Sequence, residues 1–309
     1  MKKQLLVLEA ISIVVIAGSI IIWQVSRHTN PVIKKVAEVT KAHTYSLNPD
    51  IPYCSPGGNV QKLDLYTPSN RSADAPVIVH VHGGSWTGGK KSDSDMVPYL
   101  AALTNADFIV ASINYRLAPA SPFPAQIQDV KCAIRFLRAN AAKYHINPAH
   151  IGIFGESAGG HLAALAGTAQ EVTAFETNEY AGVSDKADAV VDLFGPTDLV
   201  TYVQTEPIVV AGIKTFLGSY SPQLASPTHY VSPTSAPMLI MHGDSDILVP
   251  YSQSQQLYDA LSGAGIPTTL VKVANAGHGF TLAQGSEITP SIEDLQLQTQ
   301  QFFKKYLQM

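Results

Sequence analysis

The chain has 309 residues, of which 46% are hydrophobic, and its 20 basic and 24 acidic side chains give a formal net charge of −4. A chain of this length can build one large core or two small ones, and its charge balance gives no general attraction to nucleic acid. The charged fraction of 14% is modest and no long low-complexity tract is present, which argues against disorder beyond the N-terminal region.

The N-terminal segment differs in composition from the rest of the chain. Lys2 and Lys3 precede an apolar run over residues 5–25, in which Glu9 is the one charged residue. About 20 helical residues cross the roughly 30 Å hydrocarbon layer of a bilayer. We therefore predict that residues 1–30 are a membrane anchor, with a cleaved signal peptide and a buried N-terminal helix as the alternatives. With an anchor the globular domain is expected outside the cell membrane, and with a cleaved signal it is secreted.

Residues 31–50 are predicted to be a linker, and residues 51–309 the globular domain. Within that domain, short apolar runs alternate with segments of helical periodicity. Strands are predicted at QKLDLYTP, APVIVHV, DFIVASINY, HIGIFGE, ADAVVDLFG, APMLIMHG and TTLVKV, and helices at FPAQIQDVKCAIRFLRANAAKY, AGGHLAALAG, SQSQQLYDALSGAG and SIEDLQLQTQQFFKKYL. This alternation predicts an α/β fold with a mostly parallel sheet and helices on both faces.

One long stretch, from Pro196 to Ser235, interrupts this alternation. It is rich in proline and serine, and we interpret it as a small lid insertion that shapes a pocket. In mostly parallel sheets, ligands bind beyond the carboxyl ends of the strands. The motifs described below all fall at such ends.

The chain contains two cysteines, Cys54 and Cys132. Cys132 lies in a predicted helix with Val130, Ala133 and Ile134 around it at helical spacing, so we expect a buried free thiol there, with a disulfide to Cys54 as the alternative. Neither cysteine has a neighbouring cluster of ligands that would indicate zinc, and no metal site is predicted.

The stretch GESAGGH, residues 155–161, places one serine among small residues directly after a predicted buried strand. Gly155, Ser157 and Gly159 fit the pattern G-x-S-x-G, in which a sharp strand-to-helix turn holds the serine hydroxyl out above the sheet. A helix N-cap serine is the alternative interpretation. Ser157 is therefore the candidate nucleophile.

A serine hydroxyl is a weak nucleophile without a base, and the base needs an acid that fixes its tautomer. His278, between glycines in a late loop, is the candidate base. Asp244 and Asp246 both follow the strand PMLIM, and we choose Asp246 as the acid. The order Ser157, Asp246, His278 is the order typical of the G-x-S-x-G hydrolase architecture. We expect His161 and His242 to have structural roles.

The stretch HVHGGSWTGG provides the fourth part of the predicted site. Glycines let backbone N–H groups approach the point where negative charge develops in acyl transfer. We predict that Gly83, Gly84 and Ala158, the residue after the nucleophile, donate the hydrogen bonds of an oxyanion hole. Trp86 is predicted to line the substrate pocket, with simple packing as the alternative.

Taken together, residues 50–307 resemble the α/β-hydrolase superfamily, and within it the hormone-sensitive-lipase-type carboxylesterases and the feruloyl and acetyl-xylan esterases. The resemblance rests on the ordered motifs HVHGGSWTGG, NYRLAP, FPAQIQDVKCAIRFLRANAAKY, GESAGGHLAAL, FGPTDL, HGDSD and AGHGF. It implies the α/β-hydrolase fold and supports the roles given above to Ser157, His278 and Asp246.

The resemblance also implies that Arg116 of NYRLAP forms an ion pair with Asp129 and fixes a loop. The sequence departs from the lipase-type pattern at Ser85-Trp86, where that pattern has a third glycine after the histidine. This departure is closer to the feruloyl, acetyl-xylan and formamidase-like branches, and it argues against bulky tertiary-alcohol esters as substrates.

Three functions follow from these residues. The first is a serine carboxylesterase that acts on small acyl esters of acetyl type, free or linked to a polysaccharide, without metal or organic cofactor. The second is an amide hydrolase, formamidase-like or a small peptidase, with the same three residues. The third is a non-catalytic binding domain tethered to a membrane, against which the retained serine, aspartate and histidine argue.

Overall fold

A computed structural model of the chain describes residues 45–69, 73–170, 172–205, 209–285 and 287–307. The predicted membrane anchor at residues 1–30 and most of the predicted linker lie outside these described residues. Within the described ranges, no helix is both long enough and apolar enough to cross a bilayer.

The described strands form one sheet of eight. They are β1 Tyr45–Cys54, β2 Gln61–Pro68, β3 Ala75–Val81, β4 Ile109–Ile113, β5 Ile146–Glu156, β6 Ala189–Leu193, β7 Met238–Gly243 and β8 Thr268–Val273. In space their order is β1-β2-β4-β3-β5-β6-β7-β8. The pairs β1–β2 and β2–β4 are antiparallel and the other pairs are parallel, so the predicted mostly parallel sheet is confirmed.

Helices cover both faces of this sheet, as predicted. In the described part of the chain they are α1 Val97–Asn105, α2 Ala125–Ala139, α3 Ala141–Tyr144, α4 Ala158–Thr168, α5 Leu199–Thr205, α6 Val210–Leu217, α7 Tyr251–Gly263 and α8 Ile292–Tyr306. Successive side chains of a strand point to opposite faces. Val77 and Val79 of β3 therefore belong to the core that also contains residues of α2, α4 and α7, while Ile78 belongs to the core that contains residues of α1 and α8. The molecule has a hydrophobic core on each side of the sheet.

The parallel strands are buried along their length, which explains their continuous apolar runs. All seven residues of β3 and all five of β6 are buried. The polar residues that follow these strands lie beyond the carboxyl ends, because parallel strands all end on the same side of the sheet. The loops after β3, β5, β7 and β8 carry the predicted site residues to this edge.

The sheet begins earlier in the chain than the sequence indicates. Strand β1 starts at Tyr45, within the predicted linker, and pairs Tyr45 with Pro68 of β2. Most of β1 is exposed up to Asp50 because it is the edge strand. An exposed edge strand that contains Asn48-Pro49 lacks the alternation of apolar residues that predicts a strand.

The loop after β4 is fixed by the predicted ion pair. The Arg116 Nε donates to both carboxylate oxygens of Asp129, at 3.0 and 2.9 Å, and the Arg116 backbone N–H donates to Oδ2 at 2.7 Å. Asp129 is fully buried on α2. A buried charge of this kind is stabilised only when it is paired, so the pair ties the NYRLAP loop to α2.

The prediction of free thiols is wrong: Cys54 and Cys132 form a disulfide, with Cα atoms 6.4 Å apart. Helical spacing correctly places the Cys132 side chain on the buried face of α2. It does not reveal that the end of the edge strand β1 packs against that face. The bond therefore attaches β1, which pairs with β2 on one side, directly to the covering helix.

We expect the disulfide to contribute strongly to stability, because it closes a segment of 78 residues. In the chain-entropy model a loop of this length restricts the unfolded state by about 4 kcal/mol. The double variant C54A/C132A should therefore show a lower free energy of unfolding in urea. The unmodified chain in reducing agent is the matched control, and equal stability of oxidised and reduced protein would contradict this prediction.

Candidate active site

Ser157 lies at the sharp turn between β5 and α4. Its backbone has φ 54° and ψ −119°, a conformation that non-glycine residues rarely adopt. The glycines around it are required by close approach of the backbone. A Cβ at Gly159 would lie 1.9 Å from the carbonyl oxygen of Val81, and one at Gly155 would lie 2.5 Å from the backbone of Gly159. The turn thus holds the serine in a strained, half-buried position at the end of the sheet.

The structure brings together the three residues predicted as nucleophile, base and acid. The His278 Nε2 lies 3.0 Å from the Ser157 Oγ, and the His278 Nδ1 lies 2.7 Å from the Asp246 Oδ2. Ser157 follows β5, Asp246 follows β7, and His278 follows β8 and begins a 3-10 turn. Residues 121 and 32 positions apart in the chain therefore form one continuous line of hydrogen bonds.

The loop after β7 holds Asp246 in the ionised form that orients a histidine. Its Oδ1 accepts the backbone N–H groups of Leu248 and Val249, both at 2.9 Å. Burial raises the pKa of the carboxyl, but the hydrogen bonds from His242 and His278 outweigh burial and hold the pKa well below its ordinary value. Asp246 is therefore a carboxylate throughout the neutral range.

Asp244, the alternative acid, has other hydrogen-bond partners. Its Oδ1 accepts the backbone N–H of Asn275 at 2.9 Å and the hydroxyl of Ser245 at 3.0 Å. It thereby joins the loop after β7 to the loop after β8. The structure places Asp246, and not Asp244, against His278.

His242 has the structural position that we expect for it. The ring is fully buried on β7, with Nδ1 2.6 Å from the Ser254 hydroxyl and Nε2 2.8 Å from the Val249 carbonyl oxygen. The same Nε2 lies 3.4 Å from the Asp246 Oδ2. His242 therefore supports the loop that carries Asp246.

The predicted oxyanion donors are only partly available. The Gly83 N–H donates to the Glu156 Oε1 at 2.7 Å, so it is already engaged, contrary to the role predicted for it. Gly84, Ser85 and Ala158 surround Ser157, and within the described part of the chain none of their N–H groups donates a hydrogen bond. Gly84 has φ 108° and Ser85 has φ 53°, so the chain turns sharply beside Ser157. Ser85 is therefore a candidate donor in place of Gly83.

A buried polar network behind this loop was missed by sequence reasoning. The second carboxylate oxygen of Glu156 lies 3.0 Å from the His80 Nε2, and the His80 Nδ1 lies 2.8 Å from the Ser112 hydroxyl. Glu156 therefore bonds the loop after β3 on one side and the sheet on the other. The sequence offers one indication of a role for Glu156, which is its position directly before the candidate nucleophile.

Trp86 is both packed and part of a cavity wall. Its Nε1 donates to the Nδ1 of His161 at 3.1 Å, and its ring stacks on Phe216 with centroids 4.3 Å apart. The His161 Nε2 in turn donates to the Ala225 carbonyl oxygen at 2.6 Å. Burial lowers the pKa of His161 to about 4, so the ring is neutral near pH 7. This arrangement attaches α4 to the segment of residues 196–235.

Two cavities meet at Ser157. The larger has a volume of about 870 Å³ and extends past His278 toward α1 and α8. The smaller has a volume of about 210 Å³, and its walls are mainly apolar: Trp86, Tyr202, Val209, Ile213 and Val249. Helices α5 and α6 of the segment predicted as a lid insertion supply part of these walls. Ser85 and Ser157 line both cavities.

The described residues offer little that could hold a metal ion. Among them, only Cys54, Cys132 and Glu179 group as possible ligands. The two sulfur atoms are joined in the disulfide, so no thiolate is left to bind a metal.

The proteins to which the chain is similar include several that are named as esterases. Residues 63–261 match the family BD-FAE. Esterase LipQ of Mycobacterium tuberculosis is 35% identical over 248 residues, which are 76% of this chain and 57% of LipQ. Isoprenylcysteine alpha-carbonyl methylesterase ICME of Arabidopsis thaliana is 28% identical over 70% of this chain and 53% of its own. The chain thus spans little more than half the length of these curated relatives.

Two solved structures are similar over most of the chain. A truncated carbohydrate esterase from gut microbiota has a TM-score of 0.75 and 30% identity, over 87% of this chain and 99% of its own. The thermophilic esterase Est2 of Thermogutta terrifontis, solved with bound propionate, has a TM-score of 0.67 and 25% identity, over 83% of this chain and 90% of its own. Both likenesses support the fold described above.

Proposed function

Because the chain belongs to the BD-FAE family of α/β-hydrolases, we propose that it is a serine carboxylesterase that hydrolyses esters of short acyl groups. One observation carries this proposal. Ser157, His278 and Asp246 form a line of hydrogen bonds at the point where two cavities and three unengaged backbone N–H groups meet. The named relatives, which are esterases, support the same reaction.

The proposed reaction follows from this geometry. The His278 Nε2 takes the proton of Ser157 as the Oγ attacks the ester carbonyl carbon, and Asp246 stabilises the imidazolium that results. Negative charge then develops on the former carbonyl oxygen, where the N–H groups of Gly84, Ser85 and Ala158 can donate to it. His278 returns the proton to the leaving alcohol, and an acyl group remains on Ser157. Water, activated by the same imidazole, releases the acid.

The position of His278 supports different roles for the two cavities. The leaving alcohol receives its proton from His278, so it has to lie on the side of Ser157 where that ring is found. The large cavity is lined by His278, whereas the small one is not. We therefore place the alcohol part in the large cavity, which has room for a sugar, and the acyl part in the small cavity.

The small cavity predicts a preference for short acyl chains. Across 4-nitrophenyl acetate, butyrate, hexanoate and octanoate, we expect kcat/KM to fall by about tenfold or more once the chain exceeds the cavity. The variant V209A enlarges the small cavity, so the decrease in kcat/KM should begin at a longer acyl chain. The matched control V60A removes the same atoms at an exposed site that lines neither cavity. Equal rates for acetate and octanoate would contradict this assignment.

The same three residues could also cleave an amide, and one comparison separates the two reactions. We expect phenyl acetate to be hydrolysed and acetanilide or N-formylaniline to be hydrolysed at least about 10³ times more slowly, because an amine is a far poorer leaving group. Preferred turnover of the anilides would replace the ester proposal by the amide hydrolase. No turnover of either class would favour the non-catalytic binding domain.

We further propose that the domain works outside the cell membrane, anchored by residues 1–30. The apolar run in that segment supports an anchor. The disulfide between Cys54 and Cys132 is of the kind that persists in oxidising compartments. Protease added to intact cells should destroy the esterase activity, and protection of that activity until the cells are permeabilised would contradict this location.

A further inference from the structure

The charged side chains on the walls of the large cavity are of one sign. Asp93 and Asp95, from the loop before α1, and Glu156 all line it. Among the described residues that line this cavity there is neither lysine nor arginine. Two imidazoles, His80 and His278, are the remaining titratable nitrogen groups on its walls.

The three carboxylates differ in their surroundings. Glu156 accepts from Gly83 and faces the His80 ring, so it belongs to a polar network. Asp93 is half-buried and accepts the backbone N–H of Lys90 at 2.8 Å. Asp95 is exposed at the cavity wall. Asp93 and Asp95 therefore add negative charge to the part of the wall outside the Glu156 network.

The remaining walls suit a bulky group and offer it polar contacts. Phe194 and Phe280 pack edge to face with centroids 4.9 Å apart, and both line the cavity. Aromatic faces attract cations as well as apolar groups. Tyr99 also lines it, and its buried hydroxyl has no hydrogen-bond partner in the described part of the chain. A ligand that reaches this wall could supply one.

We propose that the large cavity selects the alcohol part of the ester by charge, favouring cationic over neutral and neutral over anionic alcohols. The inference rests on the proposed esterase function and on the placement of the alcohol beside His278. It names Asp93 and Asp95 as the residues that determine this specificity. Esters of amino or ammonium alcohols are then the best substrates, and esters of alcohols that carry a carboxylate, sulfate or phosphate are the worst.

The size of the effect follows from Coulomb interactions in a cavity open to water. Two unit charges about 4 Å apart change binding by about fivefold in bulk water and by about a thousandfold at the effective dielectric constant of a protein surface. Because this cavity is open to water, we expect an effect near the first limit, about three- to tenfold. Because the walls are solvated, salt should weaken the selection; the Debye length falls from about 8 Å at 0.15 M to about 3 Å at 1 M.

The test uses three acetates that differ only in the charge of a remote group. These are 4-(trimethylammoniomethyl)benzyl acetate, its neutral 4-neopentyl isostere and 4-(sulfonatomethyl)benzyl acetate. The benzyl ring separates the charged group from the ester oxygen, so the three acetates have nearly the same intrinsic reactivity toward a nucleophile. The rate at which hydroxide hydrolyses each acetate corrects for the difference that remains. We expect kcat/KM to fall by about three- to tenfold at each step from cation to anion, and the steps to shrink in 1 M NaCl.

Matched variants then locate the source of the selection. In D93N/D95N the three acetates should react within about twofold of one another. An asparagine at position 93 keeps an oxygen that can accept the Lys90 N–H. The control D259N makes the same type of change in charge on α7, away from both cavities, and should leave the order intact.

The outcomes separate this inference from the proposed function. Equal kcat/KM for the neutral and anionic acetates would overturn the selection by charge. The same holds if D93N/D95N still hydrolyses the three acetates in the order cationic, neutral, anionic. Absence of turnover with the neutral acetate, by contrast, counts against the esterase itself. Turnover of the neutral acetate with no discrimination leaves the esterase in place and removes only the inference.

Discussion

The variant S157A is expected to lose ester turnover while keeping its fold. Removal of the nucleophile from a Ser-His-Asp site lowers kcat by about 10⁶, and a background from the oxyanion donors and binding remains. Labelling by a fluorophosphonate probe should disappear completely, because the probe needs the Ser157 Oγ. The oxygen makes one hydrogen bond in the described structure, to the His278 Nε2, so its loss leaves no buried group without a partner.

A matched serine and a stability measurement make this result decisive. The control variant S262A lacks a hydroxyl at an exposed site on α7. The fluorophosphonate probe should label it, and it should hydrolyse esters, at the rate of the unmodified chain. The unfolding temperature of S157A should stay within a few degrees of that of the unmodified chain, because the substitution removes one half-buried hydroxyl and keeps the backbone of the turn. Full turnover in S157A would remove Ser157 as the nucleophile and, with it, the proposed mechanism.

Much of the site could be predicted from the sequence because its chemistry is tied to local backbone geometry. A buried strand that ends in G-x-S-x-G can turn into a helix only if the glycines admit the neighbouring backbone, and Gly159 lies against Val81 as that argument requires. Chain order allows either Asp244 or Asp246 as the acid, and both side chains have hydrogen-bond partners in the structure. Only three-dimensional placement shows which one faces His278.

The conformation of the predicted oxyanion loop could not be predicted from the sequence. Which N–H groups point toward Ser157 is decided by the φ values of successive residues, and the sequence HGGSW does not specify them. The side chain of Glu156 takes the Gly83 N–H, a contact across 73 positions of the chain. The proposed donors in this loop are therefore Gly84 and Ser85, one residue later than predicted.

Two further differences have the same origin, which is packing between distant segments. The start of β1 at Tyr45 depends on pairing with β2, and pairing does not need apolar residues at an exposed edge. The disulfide depends on that strand meeting α2. Helical periodicity predicted that Cys132 is buried, but periodicity describes one helix and not the element that covers it.

The variant D246N is the second large expected effect, and its partner D244N is the built-in control. An asparagine at position 246 can keep its oxygen on the N–H groups of Leu248 and Val249. Its NH2 group would then face the His278 Nδ1, which favours the tautomer with the proton on Nε2. That tautomer cannot accept the proton of Ser157, so we expect kcat to fall by about 10⁴ with little change in fold.

D244N should behave differently for a physical reason. The asparagine oxygen can still accept the Asn275 N–H, so the two loops stay joined, and kcat should remain within about threefold of the unmodified chain because Asp244 has no contact with His278. Measurement of kcat and of the fluorophosphonate labelling rate on both variants tests the assignment at two stages of the reaction. A large loss in D244N with a small loss in D246N would exchange the roles of the two acids. Large losses in both would instead indicate that the position of the loop after β7, and not the charge at one carboxylate, governs the rate.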